Sequence, residues 1–452
     1  MAHTTSIDRP HRFTASLAAA RRLVRWLWRA AVRLGLLIVL LALLGDGTLR
    51  DTSLRARVTA LARPHLFDYV GWEVDALWAK AQEELLGAGP YLDHDAARAQ
   101  VVYYFALLDQ TRQIENQIEA IYSDPAIDDP AAETSGLRGE RDALRAQLAE
   151  RQPLVESILE NQVSAVLADE GFGLLGQVLP PVSMHVTPVP TLLVISPRDR
   201  IEFAVDLNLD PLPVPEREQL EARIDRELGV SSLVVPLGGL SMYPSMIVET
   251  ASIARAVEVT AHEWAHHYLF FFPLGLEYSR LAETRILNET AATFFGREIA
   301  LKVMARYYPE SPPPVYPSFR APSALPPPAD EDSPPRDPDV EGPFDFAREL
   351  NLTRVQVDFL LSQGQIEAAE TVMEYRRREF ARHGHPIRKL NQAYFAFYGG
   401  YQGEPGAGGA DPIGPGLEEL RALSPDLRAW MDTIRGITTR AELLAALDAA
   451  RG

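Results

Sequence analysis

Apolar positions recur at helical spacing, among many Ala, Leu, Glu, Gln and Arg residues, from about residue 51 to residue 172. The pattern predicts two long helices, 96–121 and 137–168, with a turn-forming segment rich in Asp, Pro and Ser between them. The second helix carries an apolar face formed by Leu144, Leu148, Leu154 and Ile158. We therefore expect a helical hairpin, with a partner-binding coiled coil as the alternative use of the same face.

The period changes near residue 180, where β-branched residues and alternation replace the helical pattern. Three stretches, 186–195, 201–207 and 231–237, are typical of strands, and we expect them to form one small sheet. A helix follows at once, and either Thr250 or Ser252 can cap its N-terminus. Strands followed by a long helix predict a mixed unit of sheet and helix.

The N-terminal arm combines seven arginines before position 34 with an uncharged apolar run at 34–45. Three interpretations compete for this run: an uncleaved signal anchor, a cleaved signal peptide and an amphipathic surface helix. No small-x-small cleavage site follows it, and flanking tryptophans and arginine stems can extend it into the lipid headgroups. We therefore expect a single-pass membrane protein, with its N-terminus cytoplasmic and its catalytic domain outside.

The amino-acid composition limits the kinds of functional site that the chain can form. The chain of 452 residues has a formal net charge of −18, which excludes a basic nucleic-acid-binding footprint. It contains no cysteine, so disulfides, thiolate metal sites and cysteine nucleophiles are excluded as well. Any bound metal must therefore be held by histidine and carboxylate side chains.

One pentapeptide in the helix after the strands carries candidate chemistry. His262 and His266 lie four residues apart and so project from one face of a helix, where both imidazoles can bind one zinc ion. Glu263 lies beside that face and can reach a water molecule without being a ligand itself. The surrounding helix is largely apolar, and two histidines and a glutamate would be costly to bury there without a partner such as a metal.

A catalytic zinc site needs a third protein ligand, and here it must be histidine or carboxylate. No histidine lies between positions 268 and 287, but a second helical stretch contains Glu289, 23 positions after His266. A loop at 270–275 lets this helix return antiparallel to the first, so its carboxylate can meet the two imidazoles.

Taken together, the sequences His262-Glu-x-x-His266 and Asn288-Glu289-x-x-Ala292 resemble the gluzincin zinc metallopeptidases, which include thermolysin-like proteases and zinc aminopeptidases. The resemblance covers about residues 250–299. It implies that His262, His266 and Glu289 bind Zn²⁺ and that Glu263 is the general base for hydrolysis of a peptide or protein substrate. The alanine at position 292 is closer to the aminopeptidase form, although residues 238–242 do not match the amine-binding strand of that group.

Two supporting roles stay open at this point. A thermolysin-like site would have an aspartate at position 293 to orient a ligand histidine, and this chain has Thr293. The threonine hydroxyl, Glu283 or a different arrangement can take that role. For the group that stabilises the oxyanion, we consider segments 382–385 and 391–401 and select Tyr398, although core packing is the commoner role for such an aromatic residue.

The predicted fold class is α+β and predominantly helical, with a zincin-like catalytic core made of a small mixed sheet, an active-site helix and a ligand helix. We divide the chain into a cytoplasmic arm with signal anchor (1–50), a helical hairpin domain (51–175), the metallopeptidase core (176–308), a Pro-rich acidic linker (309–343) and a helical C-terminal domain (344–452). The predicted function is that of a membrane-anchored zinc metallopeptidase. The alternatives are a non-catalytic, membrane-tethered binding module of the same fold and a zinc hydrolase of a non-peptide substrate.

Overall fold

The structure is a computed structural model. It describes residues 52–86, 92–123, 129–316, 344–401, 407–408 and 411–452, together with Trp28, Val32, Arg33, Gly35 and Leu36. Contacts divide the chain into two units, residues 1–57 and 58–452. In the first unit, the five described positions between Trp28 and Leu36 are helical. All further description concerns the second unit, apart from the start of its first helix.

Helices make up most of the described chain. In chain order they are α1 Leu54–Ala62, α2 Tyr69–Leu86, α3 His94–Ser123, α4 Pro130–Glu133, α5 Ser135–Leu167, α6 Val214–Leu228, α7 Ile253–Leu269, α8 Pro273–Leu276, α9 Ala282–Tyr307, α10 Phe346–Ser362, α11 Ile366–Arg382, α12 Gln392–Ala396, α13 Ile413–Leu423, α14 Leu427–Ile434 and α15 Arg440–Arg451. The predicted class, a predominantly helical α+β protein, is confirmed.

The strands are short and belong to three small sheets. They are β1 Gly173–Leu174, β2 Gln177–Val178, β3 Met184–Val186, β4 Thr191–Pro197, β5 Val205–Leu209, β6 Val230–Pro236, β7 Gly239–Leu240 and β8 Ser245–Ile247. The sheet orders are β1-β2, β3-β8-β7 and β5-β4-β6, and among the strands of the described residues only β3 and β8 pair in parallel.

The expectation of one sheet and of a single strand over 186–195 is therefore wrong. Residues of that stretch belong to β3 and β4, which lie in different sheets. Pro188 and Pro190 fall between these strands. Proline has no N–H to donate to a sheet ladder, so the strand is interrupted there and the chain changes sheets.

Two hydrophobic cores hold the second unit together. In the first core, the hairpin of α3 and α5 packs with α7, α9 and the C-terminal helices α13–α15. In the second core, the sheet β5-β4-β6 packs against α10, α11 and α12. The chain after residue 344 thus contributes to both cores.

Helices α7 and α9 pack extensively against each other, and this contact positions the candidate site. Behind α7 three aromatic rings pack together: the centroid of Phe172 lies 5.6 Å from that of Trp264 and 5.3 Å from that of Phe295. Trp264 is fully buried, and its indole N–H donates to the carbonyl oxygen of Pro180 at 2.7 Å. This packing holds the back of α7 in place, with His262 and His266 lining a cleft.

The predicted single-pass membrane location is not supported and is corrected here. Among the residues that the structure describes, no helix has both the length and the apolar character needed to cross a membrane. The run at 34–45, on which that prediction rested, lies outside the described residues except for Gly35 and Leu36.

Candidate metal centre

Helix α7 brings the first two candidate ligands together. It begins after Ser252, one of the two caps that the sequence indicated. The Ser252 hydroxyl accepts a hydrogen bond from the backbone N–H of Arg255 at 3.2 Å. One turn of helix separates His262 and His266, and their Nε2 atoms lie 3.1 Å apart. Two imidazole nitrogens at this distance can bind one cation when neither nitrogen carries a proton.

Helix α9 supplies the third candidate ligand. Glu289 Oε2 lies 3.5 Å from His262 Nε2 and 3.6 Å from His266 Nε2. The helices approach closely because position 296 is glycine: a Cβ atom there would lie 2.7 Å from the Glu258 carbonyl oxygen and 3.1 Å from the His262 backbone nitrogen. Gly296 is therefore a structural requirement for this helix crossing.

The three atoms match the spacing that zinc requires. Ligand bonds of about 2.0–2.2 Å in a tetrahedron place ligand atoms roughly 3.3–3.6 Å apart. The observed separations of 3.1, 3.5 and 3.6 Å fall on or near this range. The donor set of two imidazoles and a carboxylate is also one that zinc accepts in catalytic sites.

Glu263 is a competing candidate for the third ligand. Ligand atoms of His262, Glu263 and His266 all lie within 4.8 Å of one another, which is a looser group than the one with Glu289. Glu263 is also engaged elsewhere, because the Ser241 hydroxyl donates to its Oε2 at 2.6 Å. Glu289 is therefore the better placed candidate for a third ligand, and Glu263 lies beside the three atoms.

The electrostatics of Glu289 fit a cation-binding group. Its side chain is buried, and among the described residues no arginine or lysine forms an ion pair with it. Burial alone would raise its pKa, but the imidazoles of His266 and His262 outweigh burial and hold the pKa well below the usual range. Burial likewise lowers the pKa of His266, and the Glu289 carboxylate reverses this and raises it to about 9.

Asn288 and Tyr278 support the ligands. His266 Nδ1 donates to Asn288 Oδ1 at 2.7 Å, and Asn288 Nδ2 in turn donates to the Leu274 carbonyl oxygen at 3.1 Å. The Tyr278 hydroxyl donates to Glu289 Oε1 at 2.6 Å, whereas the two imidazoles contact the other carboxylate oxygen, Oε2. Such hydrogen bonds fix the orientation of a metal ligand and raise its basicity.

Neither residue suggested by the sequence orients a ligand histidine. Thr293 donates to the Glu289 carbonyl oxygen of its own helix at 2.9 Å, and Glu283 forms an ion pair with Arg440. Asn288, directly before Glu289, takes the role instead. Asn288 is part of the sequence motif, but the sequence does not indicate that its amide, rather than the Thr293 hydroxyl, contacts the His266 imidazole.

Glu263 is held in a fixed position by the segment before β8. Besides its hydrogen bond to Ser241, it lies so close to β7 that a Cβ atom at Gly239 would be 2.4 Å from Glu263 Oε1. Sequence reasoning considered residues 238–242 only for binding a substrate amine and missed both contacts. The signal in the sequence that could have pointed to these contacts is the pair Gly238-Gly239, followed closely by Ser241.

The four residues face a cleft of about 750 Å³. Its walls are α7, α9 and the segment 237–243, and it contains His262, Glu263, His266 and Glu289. Tyr398 does not line this cleft; it packs against the second core, with its ring centroid 4.5 Å from that of Tyr394. The structure therefore does not bring Tyr398 to the other candidate residues.

Searches of protein-family models, curated proteins and solved structures found no match to this chain.

Proposed function

We propose that this protein is a zinc-dependent peptidase with a zincin-like core. The observation that carries the proposal is that His262, His266 and Glu289 converge with the spacing of a zinc site while Glu263 lies beside them in an open cleft. The core would consist of the sheet β3-β8-β7, the active-site helix α7 and the ligand helix α9. This is the arrangement that the two motifs predict.

His262, His266 and Glu289 would hold the zinc ion, with Asn288 and Tyr278 fixing two of these ligands. When bound, zinc supplies Lewis acidity, which polarises a carbonyl group and makes water a competent nucleophile near neutral pH. A site with three protein ligands keeps a position open for this chemistry.

Glu263 would accept the proton of the attacking water and pass it to the leaving amine. Its other interactions suit that role. Ser241 and Gly239 restrict the carboxylate to one orientation, so that it is already in place when the substrate binds. The cleft has a volume of about 750 Å³ and can admit a segment of a peptide chain.

The test is Glu263→Gln in the full-length chain loaded with zinc. The change is nearly isosteric and leaves the three ligands in place, so zinc content and thermal stability should match the wild type. Cleavage of an internally quenched peptide library should fall by about 10²–10⁴-fold, the usual effect of removing a general base.

Glu277→Gln is the matched control, because it makes the same chemical change near the cleft on a residue that forms an ion pair with Arg280. This variant should cleave at the wild-type rate. Equal cleavage by Glu263→Gln, or a zinc-loaded wild-type chain that cleaves no library peptide, would contradict the proposal.

A further inference from the structure

One end of the cleft is lined by charged side chains that the proposed chemistry does not use. Arg255, Glu258 and Arg297 line it there, on the first two turns of α7 and the facing part of α9. Glu258 Oε1 lies 3.0 Å from Arg255 Nη1 and 3.7 Å from Arg297 Nε. Two guanidinium groups thus lie beside one buried carboxylate at this end of the cleft.

Arg255 is the accessible member of the group. Its side chain is 48% exposed, whereas that of Arg297 is 16% exposed. Its guanidinium reaches from α7 across to the segment before β7, since Arg255 Nη2 lies 3.0 Å from the Cβ position of Gly238. The Arg255 guanidinium therefore lies between helix α7 and the segment before β7, which form two walls of the cleft.

The distance from the metal ligands sets a register. Arg255 precedes His262 by seven residues on the same helix, which corresponds to about 10 Å along the helix axis. An extended peptide advances about 3.3 Å per residue, so the same distance covers about three residues of substrate. A group bound by Arg255 would lie about that far from the bond at the metal.

We propose that Arg255 binds a carboxylate of the substrate about three residues from the scissile bond, so that the cleft selects acidic peptides. This inference rests on the proposed peptidase function. The carboxylate can come from an aspartate or glutamate side chain within a longer peptide or from the free C-terminus of a shorter one. A guanidinium group forms charge-assisted, bidentate hydrogen bonds with either source.

The experiment measures both cleavage and binding. Ten-residue fluorescent peptides with an amidated C-terminus carry a single glutamate moved one position at a time, each paired with its glutamine counterpart. A second set ends in a free or an amidated carboxyl group at each distance from the cleaved bond. Wild type is assayed for kcat/KM, and the zinc-loaded Glu263→Gln chain is assayed for Kd by fluorescence anisotropy.

We expect one position at which glutamate is favoured over glutamine by about tenfold in both measurements, as for a partly solvated charge-assisted contact. Arg255→Gln should reduce that ratio to about one, and Arg255→Lys should keep part of it because the charge remains. Arg223→Gln is the matched control, since Arg223 is also an exposed helical arginine that forms an ion pair with a glutamate of its own helix, and it should keep the full ratio. A preference only in the second set would assign the carboxylate to the C-terminus.

The outcomes separate this inference from the proposed function. Cleavage without an acidic preference at any position, or a full preference in Arg255→Gln, would overturn the inference and leave the peptidase proposal intact. A chain that cleaves no peptide, yet binds acidic peptides more tightly through Arg255, would support the inference and contradict the peptidase proposal.

Discussion

Two buried glutamates in this protein have opposite surroundings. Glu221, on α6, is 1% exposed and receives two guanidinium hydrogen bonds from Arg388, at 2.6 and 2.9 Å, and one from the Val234 backbone N–H at 2.7 Å. Glu289, on α9, is 2% exposed, and its neighbours are two imidazoles and the Tyr278 hydroxyl. The first carboxylate has its counter-charge within the protein, and the second has ligands for a cation around it.

The difference separates a carboxylate that is paired within the protein from one that we propose to be a metal ligand. A buried ion pair with good geometry is satisfied as it stands, and removing one partner leaves the other charge uncompensated. A carboxylate that faces two closely spaced imidazoles is balanced by a proton on an imidazole, as the raised pKa of His266 indicates, and a bound cation can take the place of that proton. Burial is the same in both cases, so the identity of the partners distinguishes them.

The largest stability effect should come from breaking the structural pair. Glu221→Ala leaves Arg388 without its carboxylate and the Val234 N–H without an acceptor, so the free energy of unfolding should fall by about 3 kcal/mol or more. Chemical denaturation monitored by circular dichroism measures this loss. Zinc should still raise Tm in this variant, because a ligand that binds only the folded state stabilises it.

Glu289→Ala sharpens the comparison, because it should remove the zinc-dependent rise in Tm. If zinc stabilises Glu289→Ala as much as Glu221→Ala, the distinction between the two carboxylates is wrong.

A third, largely buried carboxylate, with a side chain 18% exposed, gives a smaller effect that depends on pH. Glu160 accepts a hydrogen bond from the Met184 N–H at 2.7 Å and lies 3.0 Å from Lys80 Nζ, which it shares with Glu156. Burial outweighs these contacts and raises the pKa of Glu160 to about 7. Its folded pKa then exceeds the unfolded value, so its contribution to stability is full below about pH 4.5 and is lost as the pH rises to about 7.

The glutamine of Glu160→Gln cannot ionise. The free energy of unfolding of this variant, relative to that of the wild type, should therefore rise by roughly 2–4 kcal/mol between pH 4.5 and pH 7. Urea denaturation across this range measures the shift. Glu227→Gln, a change at an exposed ion pair, should show almost none. A difference between Glu160→Gln and wild type that does not change with pH would show that Glu160 titrates normally.

Local patterns were enough to predict the two hairpin helices and the helix that carries His262 and His266, although helix α6 was not predicted. The hairpin appears as α3 and α5 close to the expected bounds, and the Ser252 cap lies where the sequence indicated. Both features depend on neighbouring residues, because periodicity and capping are properties of a short segment. The spacing of His262 and His266 is likewise fixed by helix geometry alone.

What the sequence could not predict depends on tertiary packing. The contact of Ser241 with Glu263 joins residues 22 positions apart, and it exists only because β7 lies against α7. Residues 186–195 are divided between two sheets because of two prolines. The sequence shows that these prolines interrupt a strand, but it does not show which sheet each part joins. The choice of Asn288 over Thr293 depends on the rotation of α9 about its own axis, which the α7–α9 packing and Gly296 determine.

The most direct test of the central claim is the zinc content of the dialysed full-length chain, measured by inductively coupled plasma mass spectrometry. We expect about one zinc ion per wild-type chain and a near-complete loss in Glu289→Ala and His266→Ala. Glu221→Ala and Glu283→Ala, which remove carboxylates paired with arginines, should keep it. A wild-type chain that retains no zinc after incubation with the ion, or a Glu289→Ala chain that retains all of it, would contradict the account.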